Sequence, residues 1–213
     1  LRAQVEELTS ECAAIAAGIT TSRRKAGDRL ATAVTSELAG LAMASARVEV
    51  AVEPAVLGGS GADDVAILLV PHPGAPARPL GQGASGGEIS RVMLALEVAL
   101  ADAGESTPTT FVFDEVDAGI GGRTASQVGQ RLAELARTAQ VIVVTHLAQV
   151  AAYADHHIVL EKDTGSPDGT VTSVRVVSGA ERTAELARML SGETTATALE
   201  HAASLLERSD VGR

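Results

Sequence analysis

Two neighbouring acids and one histidine each follow a short apolar segment of the chain. Residues 111–113 lead into Asp114 and Glu115, and residues 141–144 lead through Thr145 into His146. Adjacent acids can divide two tasks, since one carboxylate can hold Mg²⁺ through its water shell while the other orients an attacking water. The imidazole could contact a phosphate or the same water. The structural alternatives are acids that cap a turn and a histidine that is simply hydrogen-bonded at a strand end.

A glycine loop supplies a different chemistry. Ser85, Gly86, Gly87 and Glu88 come directly before a periodic apolar run. Glycines let the backbone approach a ligand closely, and the N–H groups at a helix N-terminus attract anions, most naturally phosphate. The alternative is a Ser/Glu helix cap without a ligand. Asp117 lies in a glycine-bearing loop just past the acids, where its structural role would be that of a turn former.

The elements that must position these residues are visible as alternating apolar patterns, which predict an α/β fold with parallel strands. The predicted strands are 48–52, 64–70, 109–113, 141–144, 158–161 and 171–177. The predicted helices are 1–44, 89–103, 123–139, 147–154, 180–190 and 196–207. Turns are expected at 58–61 and 165–169, and the proline-rich segment 71–79 is expected to lack regular structure. Parallel strands would bring Asp114, Glu115 and His146 to the same sheet edge.

The first 44 residues carry a heptad-like seam. Apolar or small residues alternate four and three apart at Leu1, Val5, Leu8, Cys12, Ile15, Ile19, Ser22 and Ala26. Two interpretations stay open: an amphipathic helix on a globular body, or one arm of a coiled coil that enters a head domain. The chain starts in mid-pattern without Met, and we expect it to be a piece of something longer.

Composition narrows the classes of function. The 213 residues are 46% hydrophobic but contain only three aromatic residues, Phe111, Phe113 and Tyr153, so the core must be aliphatic. The lack of rings argues against a base-stacking platform, and the net charge of −10 argues against nonspecific DNA binding by this segment itself. Cys12 is the only cysteine, which fits a reducing cytosolic compartment. No membrane span or signal peptide is expected.

The order and spacing of the motifs resemble the second half of an ABC-type ATPase. Residues 84–88 correspond to the signature motif, and residues 111–115 correspond to Walker B with its following acid. Residues 116–119 correspond to the D-loop, and His146 corresponds to the switch histidine.

Variants within these motifs resemble one branch of that superfamily. Ala84 and Glu88 stand where transporter ATPases usually have Leu and Gln, which is closer to the SMC-like chromosome and repair ATPases. Four longer strings resemble the RecN family of bacterial DNA-repair ATPases: 84–91, 113–122, 145–151 and 185–192. Ala148 departs from the pattern, since that family often has Pro there.

The resemblance implies the C-terminal part of a P-loop NTPase head, with the end of a coiled-coil arm and the helix leading from it at 1–44 and the head at 45–213. It implies ATP and Mg²⁺ as cofactors. Asp114 would help to place Mg²⁺ through water, Glu115 would polarise the attacking water and His146 would contact the γ-phosphate. Asp117 would couple two sites across a dimer. The signature residues would bind the ATP of a second head in trans: Ser85, Gly86, Gly87 and Glu88.

A Walker A motif is missing from this sequence. Neither lysine, Lys25 or Lys162, follows the required glycines, and the glycine-rich stretch 58–61 continues with Ala62. In RecN-like proteins that motif lies in an N-terminal half. The resemblance implies three partners: that half, a second copy through the heads, and DNA through the full-length protein. It implies no membrane partner. We expect the protein to be cytoplasmic and associated with the nucleoid. We also expect little or no ATP hydrolysis by this segment alone.

Three other functions remain open. A metal-dependent hydrolase could use Asp114, Glu115 and His146 directly, and it would need Mg²⁺ or Mn²⁺ but no nucleotide. A transporter ATPase subunit would co-purify with a membrane protein. An interaction module with degenerate catalytic residues is disfavoured by the presence of all three groups.

Overall fold

The structure, a computed structural model, describes residues 1–102, 110–163 and 171–211. The helices are α1 (Arg2–Leu38), α2 (Gly86–Asp102), α3 (Gly122–Leu135), α4 (Ala148–Ala151), α5 (Gly179–Ser191) and α6 (Ala196–Val211). The strands are β1 (Arg47–Gly58), β2 (Gly61–Val70), β3 (Arg78–Pro79), β4 (Thr110–Phe113), β5 (Gln140–Val143), β6 (His157–Asp163) and β7 (Val171–Val177).

The chain divides into two compact units, Leu1–Ala103 and Gly104–Arg213. The predicted division into an arm, 1–44, and a head, 45–213, describes the roles of these segments in the full-length protein. It stays a prediction.

The first unit is a three-stranded antiparallel sheet in the order β1-β2-β3, with α1 packed on it. The predicted turn at 58–61 joins β1 to β2, where Gly58 pairs with Gly61. Helix and sheet approach closely at Gly27, because a Cβ atom there would lie 2.9 Å from Val50 Cγ1. A larger residue at 27 would therefore push α1 away from β1.

Polar contacts also fix α1 to the hairpin. Thr20 Oγ1 donates a hydrogen bond to Asp63 Oδ1 at 2.7 Å, and Arg23 Nη1 lies 3.3 Å from Asp63 Oδ2. Arg23 Nη2 also donates to the carbonyl oxygen of Ser60 at 2.7 Å. The Asp63 side chain is only 4% exposed, so its charge is paired where water has little access.

The two ends of α1 differ in burial. Residues 1–15 are all exposed, whereas Ala16, Val34 and Leu38 are buried. The later part of α1 is thus an amphipathic helix on a globular body, and the coiled coil remains a prediction for the exposed part. The predicted helix 1–44 was too long, because α1 ends at Leu38 and a 3₁₀ turn follows at Ala39–Leu41.

One further prediction about the first unit was wrong. The proline-rich segment 71–79 contains a two-residue strand, β3, in which Pro79 pairs with Leu68 and Arg78 pairs with Leu69. Proline is tolerated there because β3 is an edge strand, where a missing N–H breaks no ladder on its outer side.

The second unit contains the parallel pair that the sequence predicts. β4 and β5 run parallel, from the Thr110–Gln140 pair to the Phe113–Val143 pair. β6 and β7 form an antiparallel ribbon, and the turn predicted at 165–169 lies outside the described residues. Helices α4, α5 and α6 share a core made largely of alanine: Ala148, Ala151, Ala152, Leu186, Ala187, Ala198 and Ala202. Such small side chains let these short helices approach one another closely without aromatic residues.

Arg182 ties α5 to the end of α4. Its Nη2 atom donates to the carbonyl oxygens of Ala151, Ala152 and Ala154, at 3.3, 2.9 and 2.7 Å. These carbonyl groups lie at and just beyond the C-terminus of α4, where a helix has no intrahelical donors left. A charged donor satisfies them, and it also complements the negative end of the helix dipole.

His157 begins β6 and is 9% exposed. Burial lowers the pKa of its imidazole below the ordinary value of 6.5, and Arg182 adds to this effect while Glu185 opposes it. Because the folded protein holds a proton on His157 less readily than the unfolded chain does, the neutral form stabilises the fold. This contribution to stability is complete at pH values above the pKa of His157 in the unfolded chain. It is lost as the pH falls through the lower pKa of the folded protein.

We expect acid to destabilise the wild-type protein more steeply than the His157→Gln variant, which cannot titrate at this position. Urea denaturation at a series of pH values below about 6.5 measures the difference. The adjacent, exposed His156 provides a matched control, since His156→Gln should keep the wild-type pH dependence. Equal pH dependence of wild type and His157→Gln would contradict this account.

Candidate functional site

The carboxyl ends of β4 and β5 form one edge. Asp114 and Glu115 follow β4 directly, and the ladder extends by one bond as Val144 N donates to the Phe113 carbonyl at 3.0 Å. His146 follows two residues later. The structure therefore brings the two acids and the histidine to the same edge, where ligands bind in open α/β sheets. Their chemical roles remain predictions.

The two acids sit at a sharp turn of the backbone. Asp114 Oδ1 accepts a hydrogen bond from the Glu115 N–H at 3.0 Å, and the Glu115 carbonyl accepts from Ala118 N at 3.0 Å. Glu115 has φ of 59°, in the left-handed region that disfavours residues with a Cβ. Both acids are exposed. The turn therefore places backbone strain at Glu115, beside the two exposed carboxylates.

Asp117 does more than form a turn. The residue is 3% exposed, and its Oδ2 atom accepts hydrogen bonds from Thr145 Oγ1 and, at 3.1 Å, from His146 N. The Nδ1 atom of His146 lies 3.2 Å from the same oxygen. The loop after β4 is thus joined to the loop after β5. Sequence reasoning did not identify Thr145, because a threonine before a strand-end histidine carries no specific signal.

Ser85 and Glu88 form a capping box at the start of α2. Glu88 N donates to Ser85 Oγ at 3.3 Å. In return, Glu88 Oε2 accepts from Ser85 N at 2.8 Å and from the Ser85 hydroxyl at 2.9 Å. The backbone hydrogen bond from Ser85, followed by that of its hydroxyl, lowers the pKa of Glu88. The loop therefore opens a helix, as predicted, and the capping alternative is realised. Gly86 and Gly87 lie in the first turn of that helix, and phosphate binding by this loop remains a prediction.

The acids suit a magnesium ion that is bound together with phosphates. Among the residues that the structure describes, no group of three or more His, Cys, Asp or Glu side chains could hold a metal ion alone. Mg²⁺ in nucleotide sites needs only one or two carboxylates, with waters and phosphate oxygens completing its octahedron. Asp114, exposed beside Glu115 at a strand end, fits that requirement.

No helix within 1–102, 110–163 and 171–211 has the length and apolarity needed to cross a membrane.

The strained backbone at Glu115 leads to a stability prediction. Glu115→Gly and Glu115→Ala both remove the carboxylate, but only glycine relieves the left-handed conformation. We expect the Gly variant to be more stable than the Ala variant by about 1 kcal/mol in urea denaturation. Glu200, exposed in α6, is the matched control, because there Ala should be the more stable of the two. If Glu115→Ala is at least as stable as Glu115→Gly, the left-handed backbone at residue 115 is not strained and this account is wrong.

The chain is similar in sequence to RecN proteins of several bacteria. The chain is 51% identical to the DNA repair protein RecN of Streptomyces coelicolor, over 99% of this chain and 39% of that protein. It is 46% identical to RecN of Mycobacterium tuberculosis, over 97% of this chain and 38% of the relative. It is also 46% identical to RecN of Deinococcus radiodurans, over 97% and 36%. The chain thus spans less than two fifths of the length of these curated relatives. No protein-family model matches it.

Solved structures show the fold. The Smc head domain of Pyrococcus furiosus, with an extended coiled coil and bound to the C-terminal domain of ScpA, aligns with a TM-score of 0.51 and 21% identity. That alignment covers 85% of this chain and 37% of the other. The Smc head of Pyrococcus yayanosii aligns with the same TM-score at 22% identity, over 86% of this chain and 29% of the other. The fold is that of part of an SMC head, and over nearly all of its length this chain is similar in sequence to one part of the RecN proteins.

Proposed function

We propose that this chain is the C-terminal half of an SMC-like ATPase. The complete protein binds and hydrolyses ATP between two dimerised heads and acts on DNA in recombinational double-strand break repair. The observation that carries the proposal is the meeting of Asp114, Glu115 and His146 at one sheet edge of a RecN-family chain. The SMC-head fold supports the same conclusion.

The acids and the histidine have separate tasks in this proposal. Bound Mg-ATP supplies the phosphoryl group and the cation that neutralises its charge. Asp114 helps to hold the cation through water. Glu115 polarises the attacking water, and His146 contacts the γ-phosphate. The exposure of all three residues, at the end of a parallel strand pair, supports these assignments because a ligand can reach them.

The signature loop serves the second head. Ser85, Gly86, Gly87 and Glu88 contact the ATP held by the opposite copy. The exposure of Ser85 and Gly86 at the start of α2 supports this role, because backbone N–H groups at a helix N-terminus attract phosphate oxygens. ATP binding then closes the two heads, and hydrolysis opens them and moves the arms that engage DNA.

One of the proposed partners follows from what this chain lacks. A Walker A half must complete the phosphate site, because no lysine of this sequence follows the required glycines. The similarity to RecN supports two more partners in this proposal, a second copy through the heads and DNA through the full-length protein. The proposal includes a cytoplasmic, nucleoid-associated location and no membrane partner. The isolated chain hydrolyses little or no ATP.

Replacement of Glu115 by Gln in the full-length protein tests the proposed function. The isosteric amide keeps the shape of the site but cannot polarise water as a carboxylate does. We expect steady-state phosphate release to fall by about two orders of magnitude, with ATP binding retained. The exposed Glu193 gives a matched control, since Glu193→Gln should not alter turnover. Unchanged turnover in Glu115→Gln would remove Glu115 from this role, and robust Mg-dependent turnover by the isolated chain would contradict the need for a Walker A half.

A further inference from the structure

Asp117 is buried, yet one of its oxygens accepts two hydrogen bonds from the neighbouring loop and lies close to a third nitrogen there. Its side chain is 4% exposed. Oδ2 accepts hydrogen bonds from the hydroxyl of Thr145 and from the His146 N–H, and it lies 3.2 Å from His146 Nδ1. A buried carboxylate is costly unless donors surround it. These contacts within one chain therefore account for its burial.

Thr145 extends the contact to the next helix. Its Oγ1 atom accepts a hydrogen bond from Leu147 N at 3.0 Å while its hydroxyl proton is donated to Asp117. Leu147 is the N-cap residue of α4. The main chain on both sides of His146 is thus fixed to Asp117, directly at His146 N and through Thr145 at Leu147 N. The backbone of the histidine has little freedom to move relative to the turn that carries the acids.

The same oxygen lies beside the imidazole ring. A 3.2 Å approach of His146 Nδ1 to a carboxylate oxygen is favourable only when Nδ1 carries a proton, because two lone pairs would repel. The His146 side chain is 75% exposed, so Nε2, on the opposite side of the ring, is the nitrogen available to a ligand. In the neutral ring that nitrogen is an acceptor, and in the charged ring it is a donor.

We propose that Asp117 is a positioning residue for His146 within its own chain, with Thr145 as its relay. It holds the imidazole with Nδ1 protonated and Nε2 presented to the nucleotide site. The proposal rests on the ATPase function proposed above. It differs from a role of Asp117 in coupling two heads, because every contact used here lies inside one chain.

A double-mutant cycle in the full-length protein tests this role. Asp117→Asn should lower kcat for ATP about tenfold, while the KM for ATP changes by less than about twofold. In a His146→Ala background the same substitution should have almost no further effect, since the group through which it acts is gone. An Asp117→Asn effect of equal size in both backgrounds, or one expressed mainly in KM, would overturn the proposal and favour a direct contact with a second head.

Thr145 provides the rescue experiment. Thr145→Val keeps the shape of the side chain but removes the hydroxyl donor, and we expect kcat to fall as it does in Asp117→Asn. Thr145→Ser restores the hydroxyl and should restore most of the turnover. If Val and Ser at this position behave alike, the hydroxyl relay is wrong.

A spectroscopic measurement does not depend on turnover. In full-length protein labelled with ¹⁵N at histidine, the ring signals that disappear in His146→Gln belong to His146. In its neutral form that ring should carry the proton on Nδ1, and Asp117→Ala should shift the ring toward the Nε2-protonated tautomer. A wild-type ring protonated on Nε2 overturns the positioning role. A wild-type protein without ATP turnover but with the Nδ1 tautomer would contradict only the proposed function.

Discussion

The geometry of the candidate site depends on one buried carboxylate oxygen, Asp117 Oδ2. Parallel pairing of β4 and β5 brings two strand ends together, but the ladder stops at Val144, and the next main-chain donors need other partners. Asp117 accepts from His146 N and from the Thr145 hydroxyl, so the loops after β4 and β5 form one connected structure. The exposed Asp114 and Glu115 belong to the same turn and lie three and two residues before Asp117.

The apolar surface of the second unit agrees with a chain that is part of a larger head. Parallel sheets are normally covered on both faces, yet Val112 is 66% exposed and Ile142 is 47% exposed. The β6–β7 ribbon exposes two apolar cross-strand pairs, Ile158–Val176 and Leu160–Val174. In the proposed assembly, the Walker A half covers surfaces of this kind. The relatives, which are more than twice as long as this chain, have the additional sequence to do so.

The sequence predicted the features that depend on local patterns. It did not predict those that depend on contacts between residues far apart in the chain. The apolar runs before Asp114 and His146 predicted the parallel strands, and the edge that these residues share follows from that pairing alone. The role of Asp117 could not be predicted, because its partner Thr145 lies 28 residues away. The left-handed backbone at Glu115 also has no sequence signal, since a glutamate is not expected there. Pro79 was expected outside regular structure, and only its place on an edge strand allows it to pair.

Trans-complementation tests the central claim that each ATP site takes Glu115 from one head and Ser85 from another. Full-length Ser85→Arg and full-length Glu115→Gln should each be inactive, since every site in either homodimer lacks one group. After equal amounts are mixed and allowed to exchange subunits, half of the dimers are mixed, and each mixed dimer contains one complete site. We expect ATP turnover to recover to roughly a quarter of the wild-type value. If mixing restores no turnover although mixed dimers form, the two groups do not meet across a dimer and the account is wrong.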